Sequence, residues 1–322
     1  MAQRWWRDLP PAAGWFVMAT ATLSIGLRPI GLEPLSAIGL VLAGGAWLLL
    51  AADFALRLLS DRQRWRGAAD SPPALTAVAA TTVLGAGLAL AGWPVAAGAA
   101  LLLAIAVWPL LLTFVIRHGG ARIPGAAFLV CVCTQGIAVL ALTLASAERA
   151  RWLDWVGLVF WCGGVGLAAA AFARFDLRQV WTGRGDQWVA AGALAISALA
   201  AAELLGADHW TGGAQQALRV FTLALVALDL IGYVLLLLAE IVRPRPDHDI
   251  RRWATVFPLG MTAVAVRAAA VATGVPGLSA LGTILLLIAG AAWLYTCGAL
   301  PGERIRPNRP SSLPSGPRRR NL

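Results

Sequence analysis

The chain has 322 residues, 59% of them hydrophobic and only 13% charged, with a mean hydropathy of +0.73. A soluble globular domain is not this apolar, so the bilayer is its solvent. The net charge of +10 would suit a nucleic-acid surface, but every basic residue is Arg and none is Lys, a coding bias rather than a recognition surface, and no nucleic-acid partner is expected.

Residues 1–13 read as a short cytoplasmic segment carrying Arg4, Arg7 and the pair Trp5 and Trp6. No small-residue cleavage site follows, so the first helix is expected to be retained rather than removed as a signal peptide. Apolar runs then predict ten transmembrane helices, near 14–30, 35–59, 74–92, 94–116, 122–146, 151–172, 188–205, 217–242, 252–274 and 278–300. Together they form one membrane domain, 14–300. Residues 301–322, rich in Pro, Ser and Arg, read as a basic, disordered cytoplasmic tail that can lie against anionic lipid.

The loops alternate in charge. One side holds Arg4 and Arg7; Arg57, Arg62, Arg64 and Arg66; Arg117 and Arg122; Arg174, Arg178 and Arg184; and Arg243, Arg245, Arg251 and Arg252. The other has Arg28, Arg149, Arg151 and little else. By the positive-inside rule both termini are cytoplasmic, which requires an even number of spans in the plasma membrane. Odd and even spans also differ in composition. Leu, Ile, Phe and Trp are sparse in the odd ones, such as ALTAVAATTVLGAGLALAG in helix 3, and dense in the even ones, such as helix 8 with Leu235 to Leu238. Small residues permit close helix approach or line a narrow conduit. The expectation is five helical hairpins, each with one inner and one outer helix, around a central pore.

Enzymatic constellations are absent from the sequence. His118, His209 and His248 fall in loops on both sides of the membrane and cannot share a metal. Gly85-Ala86-Gly87 lies within a span, and the four cysteines, Cys131, Cys133, Cys162 and Cys297, lie in apolar runs where they act as small hydrophobes. No cofactor, metal or enzymatic activity is expected.

Intramembrane charges need a reason. Asp53 and Arg57, four apart, share a face of helix 2 and pair. Glu203 and Glu240 lie near helix ends, within reach of water. Asp229, midway along helix 8, has two readings: a proton relay, or a structural bond to an inner helix. Arg267 on helix 9 also has two: an anion attractor at the outer vestibule, or a side chain that snorkels or pairs with a carboxylate such as Glu203. Helix 9 further contains Phe257-Pro258. Proline removes a backbone hydrogen bond and marks a kink, and the face through Ala254, Phe257, Met261, Ala265 and Ala268 carries Phe257 as its one large ring. Such a ring serves either core packing or a hydrophobic gate.

The run Trp253-Ala254-Thr255-Val256-Phe257-Pro258-Leu259-Gly260-Met261 resembles the tellurite-resistance/dicarboxylate transporter family, which includes plant slow-type anion channels and fungal malate transporters. WFVMATATLS at 15–24, VAATTVLGA at 78–86, TQGIAVLA at 134–141 and GDQWVAAGALAIS at 185–197 support it. The resemblance implies five hairpins around a pore, a homotrimer in the lipid bilayer, transport of a small anion, and closure of the pore by Phe257. The chain departs from the family at Ala19 and Ala21, where glycines are common, at Thr262, where Tyr often follows the Met, and in lacking a central proline in helices 1, 3 and 7. The expected substrates are C4-dicarboxylates such as malate, or chloride and nitrate, passing a weakly polar lining that includes Thr20, Thr81 and Thr134 beside Ala254, Pro258 and Met261. The alternative is a proton-coupled exporter of dicarboxylate or tellurite-type oxyanions that uses Asp229 or Arg267.

Overall fold

A computed structural model of the chain describes residues 13–60, 72–117, 123–183, 185–244 and 252–299. The N-terminal arginines, Arg62 to Arg66, Arg122, Arg184, Arg245, Arg251, His118, His248 and the tail lie outside them, as do the calls made on those residues. The described residues contain eleven α-helices. Ten are long: α1 (Gly14–Leu27), α2 (Glu33–Ser60), α3 (Thr76–Leu90), α4 (Pro94–Arg117), α5 (Leu129–Glu148), α6 (Arg151–Arg174), α7 (Trp188–Leu205), α8 (Gly212–Val242), α9 (Trp253–Thr273) and α10 (Leu278–Ala299). The eleventh is a single turn, Gln179–Thr182. Among the described residues seven helices are long and apolar enough to cross a membrane, namely α2 and α5 to α10. The protein is therefore an all-helical, multi-pass membrane protein.

Boundary differences have local causes. Proline at 124 takes an extended conformation (ψ 162°), so α5 cannot start at 122. A 3-10 turn, Gly125–Phe128, leads into it instead, and Gly125 donates its N–H to Gln179 Oε1 at 3.0 Å. A similar turn, Pro72–Leu75, precedes α3. Helix α8 starts five residues before the expected 217, at Gly212, because Gly213 to Gln216 are polar or small yet compatible with a helix, so a hydropathy window misses them.

The odd helices are buried and the even ones face outward. In α5, α7 and α9, 72–89% of the most apolar window is buried, against 11–28% in α2, α6, α8 and α10. The adjacency is cyclic: α1 packs on α3, α3 on α5, α5 on α7, α7 on α9, and α9 back on α1. Each even helix packs on the odd helix before it and on the next one round. Leu35, Val41, Leu48, Leu102, Leu110, Val159, Ile231, Leu235 and Leu287 stay exposed on the outer helices, as apolar side chains must where hydrocarbon is the solvent.

Close approach depends on small residues. On α6 the buried seam is Leu153, Asp154, Gly157, Trp161, Gly164, Ala168 and Ala171, at the three-and-four spacing of one helix face. A Cβ on Gly157 would stand 2.5 Å from Leu142 Cγ, and one on Gly164 2.6 Å from the Gln135 amide.

A polar brace repeats around the ring, each time from an outer helix to the following inner one. Trp47 Nε1 of α2 donates to Thr81 Oγ1 of α3 at 2.8 Å, and Trp108 of α4 to Thr134 of α5 at 3.0 Å. Trp161 of α6 donates to the Ser197 carbonyl of α7 at 3.0 Å, and Trp293 of α10 to Thr20 of α1 at 2.9 Å. In the α8–α9 pair the polarity reverses: Thr262 donates to Asp229 Oδ1 at 3.2 Å. Every inner hydroxyl or carbonyl so engaged is satisfied without water, and in hydrocarbon the alternative is an unpaired polar group.

Candidate functional site

The five inner helices leave two spaces along their common axis. The first is a cavity of about 20 Å³ with walls from all five: Thr22 and Ile25 of α1, Thr82, Val83 and Ala86 of α3, Gly136 and Val139 of α5, Ile196 and Leu199 of α7, and Met261 and Val264 of α9. Thr82 donates to the Ala79 carbonyl at 2.9 Å, whereas the Thr22 hydroxyl is buried without a partner. Gly136 lets α5 close on α3, since a Cβ there would collide with the Thr82 hydroxyl.

The second space is a vestibule of about 1100 Å³ at the C-terminal ends of α3, α5, α7 and α9. Its wall continues the same helix faces one turn further on. Ala86 is followed by Ala89, Val139 by Leu142 and Thr143, Leu199 by Ala202 and Glu203, and Val264 by Ala268. The vestibule is polar: Arg149, Arg151, Asp154, Glu203, Asp208 and His209 line it. Asp154 Oδ2 lies 3.6 Å from His209 Nδ1. Arg149 adopts the left-handed conformation (φ 53°) in the tight α5–α6 turn, at a cost of about 1 kcal/mol for a side chain with a Cβ.

At the other end of the small cavity the face of α9 runs back one turn from Met261 to Phe257. Phe257 is fully buried. Its ring centroid lies 6.1 Å from that of Trp15 on α1. Across from it stands Gly192 of α7, where a Cβ would come within 3.2 Å of Phe257 Cε1 and 3.1 Å of Pro258 Cγ. The ring thus rests against bare backbone. Side chains of α1 and α9 meet the backbone of α7 there, in line with the cavity and the vestibule.

The structure brings together Phe257, Pro258 and Met261, with Ala254 buried one turn below. It does not bring the three expected threonines to the axis. Thr20, Thr81 and Thr134 accept from the outer-helix tryptophans, and Thr81 and Thr134 also donate within their own helices, to Ala77 O at 2.7 Å and Val130 O at 2.8 Å. Their place on the axis falls to Thr22 and Thr82. Thr22 stands about 200° round the helix from Thr20, and Thr82 about 100° from Thr81, rotations that composition does not register.

Arg267 is bonded away from the vestibule. It donates from Nη1 to Thr283 Oγ1 at 2.5 Å and to the Ser279 carbonyl at 3.4 Å, and from Nη2 to the Pro29 carbonyl at 3.4 Å. It therefore ties α9 to α10 and to the α1–α2 turn, and neither lines the vestibule nor pairs with Glu203. Asp229 is fully buried within the α8 seam, on the Thr262 brace and away from both axial spaces. Asp53 and Arg57 pair at 2.7 Å as expected. Glu203 is the residue that sequence reasoning undervalued: its position near the end of a span was visible, but not that this end opens into a vestibule. Among the described residues no group of three or more metal-ligating side chains forms.

A family description named voltage-dependent anion channel matches residues 8–300, and no curated protein matches the chain. That family is one of channels and transporters that carry anions across membranes rather than of enzymes. With nearly the whole membrane region matched, and with its helices folded as described, this chain belongs to the voltage-dependent anion channel family.

Proposed function

We propose that the protein passes small anions through a pore on the axis of α1, α3, α5, α7 and α9, closed at Phe257. In this reading all ten long helices span the plasma membrane as five hairpins, with both termini cytoplasmic, and the chain assembles as a homotrimer. The observation that carries it is the alignment of three features on the same helix faces: the vestibule, the small cavity and the buried Phe257 ring. α1 and α3 contain only 14 and 15 residues, about 21–23 Å of helix. Their flanking 3-10 turns, and their position inside the ring rather than against lipid, let them belong to a bilayer of about 30 Å.

Selectivity in such a path rests on dehydration. The walls of the small cavity carry no charge, only the hydroxyls of Thr22 and Thr82 and aliphatic groups, so an anion that sheds water at low cost passes first. Chloride and nitrate fit this better than a doubly charged C4-dicarboxylate such as malate, which remains within the proposed range. The proton-coupled exporter reading has no observation in its favour, because Asp229 and Arg267 both lie off the axis.

The test is flux in proteoliposomes at a set membrane potential, with chloride, nitrate and malate offered in turn to the wild type and to Phe257→Ala. The expected result is chloride and nitrate flux that rises in the variant. Absence of flux from both proteins, each shown to be folded, would refute the proposal.

A further inference from the structure

One carboxylate stands where the vestibule narrows into the axial cavity. Leu199 lines the cavity and Glu203, one turn later on the same face of α7, lines the vestibule; Val139 and Thr143 of α5 are related in the same way. Thr143 and Glu203 meet across the neck. The Thr143 hydroxyl lies 2.8 Å from the Val139 carbonyl oxygen and 3.2 and 3.3 Å from the two Glu203 oxygens. A hydroxyl has one proton to give. If Thr143 gives it to Val139, as the shortest distance favours, Glu203 can bond to Thr143 only by donating, which requires its acid form. If Glu203 is ionised, Thr143 must turn its proton away from the backbone. Two protonation states thus correspond to two arrangements of one hydrogen bond.

No cation neutralises Glu203 among the described residues. Arg149 and Arg151 line the vestibule from the α5–α6 turn, but neither is bonded to it, and Asp154 on α6 is engaged by His209. Asp208 after α7 adds another negative group. From α3 and α9 the vestibule receives only Ala89, Leu90, Ala268, Val271 and Ala272. Arg267 of α9 is turned to α10, and Arg219 near the start of α8 is exposed. An unneutralised charge at a constriction of low dielectric acts strongly on any ion passing it.

We propose that Glu203 is a proton-binding site at the neck of the conduit, which when ionised repels anions from the axis and when protonated admits them. The proposal rests on the anion-conduit reading above. It makes passage acid-activated from the vestibule side, with the proton acting as ligand and no net proton movement required.

The experiment uses chloride flux through Phe257→Ala in proteoliposomes, which removes the other closure, with pH varied from about 8 to about 5. Flux is expected to rise about tenfold as the pH falls. Adding Glu203→Gln, or Glu203→Ala should the glutamine variant fail to assemble, is expected to hold flux at its acid level throughout. Adding His209→Gln removes the imidazole from the vestibule wall, and the acid response is expected to survive. A flat profile in Phe257→Ala, an unchanged profile after neutralising Glu203, or loss of the response with His209→Gln would each overturn the proposal. Absence of chloride flux from Phe257→Ala at every pH would overturn the conduit reading, and this one with it.

Discussion

Replacing Phe257 by Ala removes the ring proposed to close the axis, and the size of the effect follows from its surroundings. For the conduit to open in the wild type, the ring must leave a fully buried position, forfeiting about 1.5–3 kcal/mol of burial. It must also give up its contact with the Trp15 ring, worth about 0.5–1.5 kcal/mol. The sum, about 2–4.5 kcal/mol, corresponds to an open fraction between roughly one in thirty and one in two thousand. Phe257→Ala should therefore raise chloride flux by about two orders of magnitude, read from the initial rate of potential-driven flux at a fixed protein-to-lipid ratio. Phe160→Ala, which removes a ring packed on Trp108 of an outer helix, is the control and should leave flux unchanged. Gly192→Ala supplies a second arm. Its Cβ would press on both Phe257 and Pro258, an overpacking cost of about 1–3 kcal/mol that should shrink by about 0.5 kcal/mol or more when Phe257 is already Ala. A folded Phe257→Ala protein with no gain in flux, or an equal gain in Phe160→Ala, would refute the gate.

Thr22→Val replaces the unpartnered axial hydroxyl with a methyl of similar shape. Thermal stability in detergent should hold or rise by about 1 kcal/mol, while chloride flux in the Phe257→Ala background should fall severalfold because the anion loses a hydrogen-bond donor. Trp47→Phe, Trp108→Phe and Trp293→Phe each remove one brace, and each should cost about 0.5–1.5 kcal/mol in stability with flux unchanged; a change in flux would place these side chains in the path. Asp229→Asn keeps an acceptor for Thr262 and should leave chloride flux and its pH profile as they were, whereas loss of transport would restore the coupled reading. Arg267→Gln should lower the melting temperature without altering the dependence of flux on chloride concentration, since its Nη1 and Nη2 groups are engaged on α10 and the α1–α2 turn.

The sequence by itself determined the class of protein and the sorting of its helices. Hydrophobic runs, the small residues of the odd helices and the Leu-rich even ones all follow from what a helix must present to lipid or to another helix, and lipid imposes that rule residue by residue. The motif around Phe257 belongs with these, because a lone ring and a proline among small residues stand out on a helical wheel. Helix starts such as those at 76, 129 and 212 were less legible, since they depend on turn geometry at Pro124 and Gly212 rather than on hydropathy.

Which side of each inner helix faces the axis was decided only by the tertiary structure. α1, α3, α7 and α9 are buried on nearly all sides, so they carry no amphipathic stripe to show their rotation. That is why Thr20 and Thr81 could not be told from Thr22 and Thr82 until the outer-helix tryptophans were in place. The closing of α9 onto α1, the release of Arg267 to α10 and the meeting of Glu203 with Thr143 are long-range events of the same kind. Each depends on how five helices settle against one another, and packing of that sort leaves no periodic signature along a single chain.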